Sequence, residues 1–314
     1  MLVRDCPVEL ADGLWMLGSA AYPLYLVQGE RVEGEREVAI IEGGMGAMGR
    51  LLCEQMQQLE IANESVRQVV ITHAHPDHVM AVPLFREVFP GAEVLASAAA
   101  AATLGAEKAI ALFCKLDDAL TGSLIQAGVV DEADRRGPLA ENRIAVDRVI
   151  GEGDTVAVEG MNFEVLETPG HSACSLSFHE PKRRMLIISD ASGYYLAEHG
   201  LWWPNYFSDY AEYVGSMRRL AGLGAEILCL SHNAVVQGAE DVESYFEGAI
   251  SATEAYHRRI LDETEAGKSV REIAEQLGSE AFEKTQLLPL DFFQKNCGVM
   301  VKLSLKHEGI SPDQ

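Results

Sequence analysis

The sequence predicts a layered α/β domain followed by a helical appendage, and three observations support this prediction. Short apolar runs that are typical of buried strands alternate with segments whose apolar residues recur at helical spacing. This alternation continues to about residue 238, and only helical patterns follow it. The 314 residues are 48% hydrophobic and 23% charged, which is the composition of a globular chain with a buried core. We therefore expect one folded domain over residues 1–238 and a C-terminal helical extension over residues 239–314.

Strands are predicted where a short apolar run is bounded by turn residues. The clearest example runs from Val38 to Ile41 and ends in the turn signal Glu42, Gly43 and Gly44. On the same grounds, the predicted strands cover residues 8–10, 14–17, 24–27, 38–41, 69–72, 94–96, 148–150, 155–158, 162–166, 175–178, 184–189 and 226–230.

Helices are predicted where apolar residues recur every three or four positions, as at Leu52, Met56 and Leu59. The predicted helices cover residues 47–59, 77–88, 209–221, 239–266, 269–277 and 290–305. Pro83 is expected to break or kink the second of them. Residues 97–140 interrupt the alternation, because they are rich in Ala and then amphipathic. They predict a helical insertion in the first domain.

The charge of the chain excludes some classes of partner. It has 25 basic and 48 acidic side chains, a formal net charge of −23. Nucleic acids need clustered Lys and Arg, so a nucleic-acid partner is not expected. Binding to an anionic membrane through basic residues is not expected either. The partner that remains is a small-molecule substrate, and a second copy of the chain in a homodimer is left open.

The sequence also favours one compartment. It has no apolar run of 18 residues, so no transmembrane helix is expected, and residues 1–10 lack the apolar region of a secretory signal. The six cysteines lie far apart and form no CxxC pair. This usage favours a reducing cytoplasm over a disulfide framework.

The most informative segment is the HxHxDH motif of His73, His75, Asp77 and His78, directly after a predicted buried strand and before a predicted helix. In an extended segment, residues two apart project to the same side, so His73 and His75 can face one common atom. Asp77 and His78 lie where the chain turns and can face a second, nearby atom. Packing explains three imidazoles and a carboxylate within six residues poorly. The motif therefore predicts a metal site.

Four residues do not complete two metal sites, and further candidates follow later strands. His171 lies in Thr-Pro-Gly-His after one strand, Asp190 ends a second strand, and His232 ends a third. Loops at strand ends, held by a rigid scaffold, are where functional sites tend to assemble.

With these residues in this order, the chain resembles the metallo-β-lactamase-fold superfamily over roughly residues 7–235. The resemblance implies an α+β fold, a four-layer αββα sandwich of two mixed sheets with helices outside. Here it would carry the helical insertion and a C-terminal helical cap over the active site. A weaker similarity is to a thioesterase-like subgroup that includes a protein of bacterial quinolone signalling.

The resemblance also implies two divalent metal ions per chain, Zn or Fe, with Mn open. It assigns His73, His75 and His171 to the first metal, Asp77, His78 and His232 to the second, and Asp190 to both as a bridge. Two departures stand out. Glu42 stands where many members carry Asp, and it is expected to orient ligand histidines without binding a metal itself. Ser231 and Asn233 flank His232, where many members have glycines.

Two metals of this kind imply hydrolysis of an ester, thioester, lactone or amide. A bound cation lowers the pKa of water, from 15.7 toward about 7 in the best-known zinc case, so no Ser or Cys nucleophile is needed. Asp77 and Asp190 are the predicted catalytic carboxylates. Asp77 is expected to pass a proton to the leaving group.

Other residues receive weaker assignments. The helical insertion and the C-terminal extension are expected to supply an apolar pocket. Trp202 and Trp203 are interpreted as a pocket wall or as a loop anchor, and Tyr194 or Tyr195 as an oxyanion donor or as packing. Cys174 is expected to be a buried thiol. Four histidines without motif context are interpreted as surface residues: His179, His199, His257 and His307.

Four alternatives to a small-molecule hydrolase remain. The acid excess counts against a nuclease of the same fold. A flavodiiron-type oxidoreductase would need a carboxylate where His75 stands. A glyoxalase-type or sulfur-oxidising enzyme would bind glutathione conjugates, which calls for basic residues near the C-terminus. Lys295, Lys302 and Lys306 are only weak evidence for such a site. A metal-binding regulator with little turnover is also compatible with the sequence.

Overall fold

The structure, a computed structural model, describes residues 1–30, 36–285 and 288–311. The chain forms two compact units. The first unit comprises Met1–Glu167, Cys174–Ser189 and Ala225–Gly238. The second comprises Thr168–Ala173, Asp190–Gly224 and Ala239–Gln314. The predicted boundary at residue 238 remains a prediction.

The strands of the described residues are, in chain order, β1 (Leu2–Val3), β2 (Val8–Ala11), β3 (Leu14–Gly18), β4 (Pro23–Gln28), β5 (Val38–Ile41), β6 (Val66–Val70), β7 (Glu93–Ala96), β8 (Arg148–Val149), β9 (Thr155–Val158), β10 (Met161–Glu167), β11 (Leu176–Glu180), β12 (Met185–Ile187), β13 (Tyr194–Leu196), β14 (Leu201–Trp203), β15 (Ile227–Cys229) and β16 (Val235–Gln237). The α-helices of the same residues are α1 (Met48–Gln58), α2 (Val82–Val88), α3 (Ala98–Leu104), α4 (Glu107–Gln126), α5 (Tyr210–Ala221), α6 (Ala239–Glu265), α7 (Val270–Thr285) and α8 (Leu290–His307).

The first unit contains two mixed sheets of seven strands each, together with α1 to α4. One has the order β2-β3-β4-β5-β6-β7-β8, and the other has the order β1-β16-β15-β12-β11-β10-β9. One hydrophobic cluster takes residues from both sheets, such as Tyr25 and Val70 from one and Phe163 and Phe178 from the other. The predicted sandwich of two mixed sheets is therefore confirmed.

Parallel pairing decides which residues share an edge of each sheet. β5, β6 and β7 are parallel neighbours, so Glu42, Thr72 and Ser97, which follow them, come to one edge. β12 and β15 are the parallel pair of the other sheet, and Ser189 and His232 follow their ends. The HxHxDH motif and His232 thus both come after the carboxyl ends of parallel strands.

The second unit is mainly helical. It contains α5 to α8 and the antiparallel ribbon of β13 and β14. α7 and α8 pack closely at Gly278, where an added Cβ would lie 2.6 Å from the Gln294 Cα. Phe293, Cys297 and Met300 are among the buried residues of α8. No helix in the described part of the chain is long and apolar enough to cross a membrane.

Each predicted strand has a counterpart, but three expectations about local structure were wrong. The helical insertion ends at Gln126, because Gly128 turns the chain with φ of 70°. The helix predicted over residues 77–88 is a short 3-10 turn, Pro76–His78, followed by α2. Pro83 was expected to break or kink this helix. The predicted helix is interrupted just before it, and Pro83 does not kink α2, since it lies in the first turn, where its missing N–H costs nothing.

The third error concerns two histidines. His179 and His257 are buried, contrary to the prediction that they lie on the surface. His179 belongs to β11, whose five residues are all buried. Burial lowers the pKa of His179, which keeps the imidazole neutral.

The ribbon of β13 and β14 and the short strands β1 and β16 were not predicted, because runs of two or three residues carry too little periodicity.

Candidate metal centre

The loop after β6 carries the motif and is fixed by the sandwich. Thr72 is buried, and its carbonyl accepts a hydrogen bond of 2.8 Å from the Leu176 N–H of β11. The His73 and His75 rings that follow have centroids 4.5 Å apart. The spacing of two along an extended chain therefore brings both imidazoles together, as predicted.

Asp77, His78 and His232 form a second group. One ligand atom from each lies within 4.8 Å of the others. The Asp77 Oδ2 atom is 3.3 Å from His78 Nε2 and 3.6 Å from His232 Nε2. Two different strand ends thus supply three donor atoms to one point, which is the arrangement a metal ion requires.

The Nδ1 atoms of His78 and His232 are each held by a hydrogen-bond acceptor. His232 Nδ1 lies 2.8 Å from the Ala21 carbonyl oxygen, and His78 Nδ1 lies 2.8 Å from Glu42 Oε2. A carbonyl or carboxylate oxygen only accepts, so each Nδ1 carries the proton. Nε2 then presents its lone pair toward Asp77, which is the tautomer that binds metal.

In the second unit, His171 and Asp190 form a pair. His171 Nε2 lies 3.2 Å from Asp190 Oδ2, and its Nδ1–H donates to the Asn205 carbonyl at 2.7 Å. The Tyr213 hydroxyl donates to Asn205 Oδ1 at 3.0 Å, and burial raises the pKa of this phenol well above its ordinary value. Tyr213 therefore stays a neutral donor and fixes the residue that orients His171.

The donor chemistry of these residues fits a divalent metal. The groups offer imidazole nitrogens and carboxylate oxygens, which suit Zn, Fe and Mn alike. The candidate ligand groups of the described residues contain no cysteine, and the Sγ atom of the buried Cys174 accepts from the Ala74 N–H at 3.3 Å. The predicted metal ligands thus meet in three sets: His73 with His75, Asp77 with His78 and His232, and His171 with Asp190.

Several residues that orient the ligands were not predicted. Thr72, Ser189 and the carbonyls of Ala21 and Asn205 hold imidazole nitrogens, yet only Glu42 was expected in such a role. A carbonyl is present at every residue, so no sequence pattern marks those two. Thr72 directly precedes the motif, and that place in the sequence was a usable signal.

The aromatic residues after Asp190 form a cluster in the second unit. Tyr195 packs on Trp202 with centroids 4.7 Å apart and on Tyr245 at 5.5 Å. The Tyr245 hydroxyl bonds to the Ser192 hydroxyl at 2.9 Å, and burial raises the pKa of Tyr245. Trp202 was interpreted as a pocket wall or a loop anchor, and Tyr195 as an oxyanion donor or a packing residue. Both residues make packing contacts, as the second interpretation of each requires.

Sequence comparison defines the class of the protein. The profile of the Metallo-beta-lactamase superfamily matches residues 25–232, which is well over half of the chain and includes every predicted metal ligand. The chain belongs to this superfamily.

Individual relatives are distant. The chain is 25% identical over 184 residues to hydroxyacylglutathione hydrolase of Stenotrophomonas maltophilia, covering 58% of the chain and 54% of that relative. It therefore spans about half the length of this curated relative. It is also 25% identical over 281 residues to the probable metallo-hydrolase YqjP of Bacillus subtilis, covering 85% and 83%. A metallo-beta-lactamase family protein from Thermus thermophilus has the same fold, with a TM-score of 0.62, 20% identity and coverage of 96% and 95%.

Proposed function

We propose that this superfamily member is a dinuclear metal-dependent hydrolase of a small ester, thioester or lactone. The observation that carries the proposal is the convergence of Asp77, His78 and His232, with the Nδ1 atom of both imidazoles held by an acceptor. Such pre-orientation is typical of metal ligands and is not needed for packing.

The proposed ligand sets are those of the resemblance. By the resemblance, His73, His75 and His171 would hold the first ion, and Asp77, His78 and His232 would hold the second. By the same resemblance Asp190 would be a ligand of both, and Zn or Fe is the proposed metal, with Mn as the third choice. Bound at these residues, divalent ions would supply a hydroxide nucleophile at neutral pH and would polarise the substrate carbonyl.

Asp77 has the position for proton transfer. Its side chain is 25% exposed, whereas those of His78 and His232 are 3% and 5% exposed. A proton taken up on Asp77 Oδ2 can therefore be passed to a leaving group that arrives from solvent, which buried imidazoles do less readily. Asp190, which is buried, is proposed to act as a metal ligand and not in proton transfer.

The substrate is proposed to be a thioester before an ester or lactone. Two curated relatives, from Stenotrophomonas maltophilia and Haemophilus influenzae, are hydroxyacylglutathione hydrolases. The formal net charge of −23 supports a small molecule over a nucleic acid. A pocket beneath the C-terminal helices, a homodimer and a cytoplasmic location remain proposals.

The first test measures metal content and turnover in the same preparation. Purified protein is expected to contain close to two ions per chain by plasma mass spectrometry. Zn- and Fe-loaded protein is expected to hydrolyse at least one of aryl esters, acyl-CoA, acylglutathione and acyl-homoserine lactones. Asp190→Asn is expected to lose metal and activity together.

The matched control is Asp262→Asn, because Asp262 is an exposed carboxylate on α6. It is expected to retain both ions and full turnover. Protein without bound metal, or an Asp190→Asn variant with two ions and full activity, would refute the proposal. Two bound ions with no turnover on any substrate would favour the regulator hypothesis.

A further inference from the structure

We infer that Glu42 positions ligand histidines of both metal subsites through one hydrogen-bond relay, an inference that rests on the proposed function for its metals. Glu42 follows β5 and is buried. Its Oε2 atom lies 2.8 Å from His78 Nδ1, and its Oε1 atom lies 2.8 Å from the Thr72 hydroxyl. One carboxylate therefore contacts a ligand of the second metal directly and the motif loop through Thr72.

The relay continues from Thr72 to a ligand of the first metal. The Thr72 hydroxyl lies 2.7 Å from the Ser189 hydroxyl, which lies 3.1 Å from His73 Nδ1. Thr72 Oγ1 itself lies 3.2 Å from the same nitrogen. All of these residues are buried in the first unit, where the low dielectric strengthens such bonds.

The Glu42 carboxylate at one end of the relay determines which atom is the donor in each hydrogen bond. A carboxylate oxygen only accepts, so the single Thr72 hydroxyl proton goes to Glu42. Ser189 must then donate to Thr72, because the Thr72 proton is already used. The Ser189 proton is used in turn, so His73 Nδ1 must donate to Ser189. His73 and His78 therefore both carry the Nδ1 proton and both direct the Nε2 lone pair outward.

The backbone on both sides of the relay is unusual. Glu42 has φ of 94° and Ser189 has φ of 48°, a region that L-residues rarely adopt. A Cβ at Gly43 would lie 2.5 Å from the His78 carbonyl oxygen, so the Glu42 turn approaches the motif more closely than a side chain would allow. Two turns are thus held in costly conformations to bring Glu42 and Ser189 to Thr72.

Stepwise Zn²⁺ affinities, measured by competition with a chromophoric chelator, test the relay. Glu42→Gln is expected to weaken the binding of at least one of the two ions by about 10–100-fold, the range for partners that orient metal ligands. The amide has only one acceptor oxygen, so Thr72 or His78 faces its NH₂ group. Glu42→Asp keeps both acceptors and is expected to restore two-ion binding.

Thr72→Val separates the two branches. It keeps the shape of Thr72 but cuts the path to His73, while the bond between Glu42 and His78 remains. The first ion is therefore expected to bind about 10-fold or more weakly, with the second unchanged. The control is Thr253→Val, because Thr253 is equally buried and bonds only within α6, to the Ala249 carbonyl. It is expected to leave both affinities unchanged.

Imidazole ¹⁵N shifts of the metal-free protein test the relay without metal or activity. His73 and His78 are expected in the Nδ1–H form, and Thr72→Val is expected to change only His73. Unaltered affinities in Glu42→Gln, equal weakening of both ions in Thr72→Val, or an Nε2–H form of either histidine would overturn the relay. Nδ1–H forms in a protein that binds no metal would instead leave the relay intact and refute the proposed function.

Discussion

Two sets of buried histidines in this molecule differ in how the fold uses them. His73, His78, His171 and His232 follow strand ends, and each has its Nδ1 atom within 3.1 Å of an oxygen. His257 lies instead within α6, where its ring stacks on Tyr210 with centroids 4.0 Å apart. Each histidine of the first set is oriented through Nδ1 by a hydrogen bond, whereas the His257 ring is oriented by stacking and by a bond at Nε2.

The difference shows what distinguishes a candidate ligand from a core residue. His257 Nε2 bonds to Glu308 at 3.2 Å, and its buried Nδ1 has no hydrogen-bond partner among the described residues. His307 packs near it, with centroids 5.6 Å apart, yet the two form no ligand group within the described part of the chain. Burial and histidine clustering therefore do not suffice; the lone pairs must converge.

The largest effect is expected where the turn carrying His171 is broken. Gly170 has φ of 123°, and a Cβ there would lie 2.2 Å from the Tyr213 Cα. Gly170→Ala combines backbone strain with overpacking, so we expect a loss of about 2–6 kcal/mol in the free energy of unfolding. Urea denaturation followed by circular dichroism measures it.

A second glycine provides the control. Gly215 is exposed on α5, and an added Cβ would meet nothing within 4 Å. Gly215→Ala is expected to stabilise the protein by up to about 1 kcal/mol, since Ala is the better helix former. Equal changes in unfolding free energy for the two substitutions would show that the turn at position 170 does not require glycine.

A smaller effect is expected at two helix N-caps, Ser97 of α3 and Asp209 of α5, of which only Ser97 directly follows a strand. The Ser97 hydroxyl, after β7, accepts from the Ala100 N–H at 3.2 Å and donates to the Cys174 carbonyl at 3.0 Å. Ser97→Ala is expected to cost about 1–2 kcal/mol of unfolding free energy, because it loses a cap and leaves a buried carbonyl.

The matched substitution is Asp209→Ala at the start of α5. Asp209 accepts a single cap bond, from the Glu212 N–H at 3.0 Å, in a more exposed place. We expect a loss of about 0.5–1 kcal/mol. A larger loss in Asp209→Ala than in Ser97→Ala would contradict the view that strand ends carry the more demanding hydrogen bonds.

The smallest effect concerns pH. Burial lowers the pKa of His257 below its ordinary value of 6.5, although the bond to Glu308 opposes this shift and His307 adds to it. The unfolded chain therefore binds more protons than the folded one below about pH 6.5, so stability falls as the pH falls through that range.

His257→Phe keeps an aromatic ring on Tyr210 and removes the titrating group. The unfolding free energy at pH 8 and at pH 5.5 is measured for both proteins without metal. Wild type is expected to lose more stability on acidification than the variant, and equal losses would show that His257 does not contribute.

Much of the fold and of the candidate site could be predicted because the signals are local. The apolar run from Val38 to Ile41 was predicted to its ends, and the HxHxDH motif was correctly placed after β6. The ribbon of β13 and β14 could not be predicted, since three residues hold no readable alternation. His257 was wrongly placed on the surface, because its burial depends on Tyr210 and α8, which are distant in sequence.

The sequence by itself determined which residues can bind metal and that they follow strands, because residue type and alternation are properties of a short segment. Only the tertiary structure decided that Thr72 and Ser189, 117 residues apart, share a hydrogen bond. It also decided that Glu42 meets His78 and that the Ala21 carbonyl meets His232. These contacts follow from strand order and from backbone turns at positive φ, which bring distant segments to one sheet edge. Proton positions on the imidazoles depend on those contacts, so no reading of residue types alone could assign them.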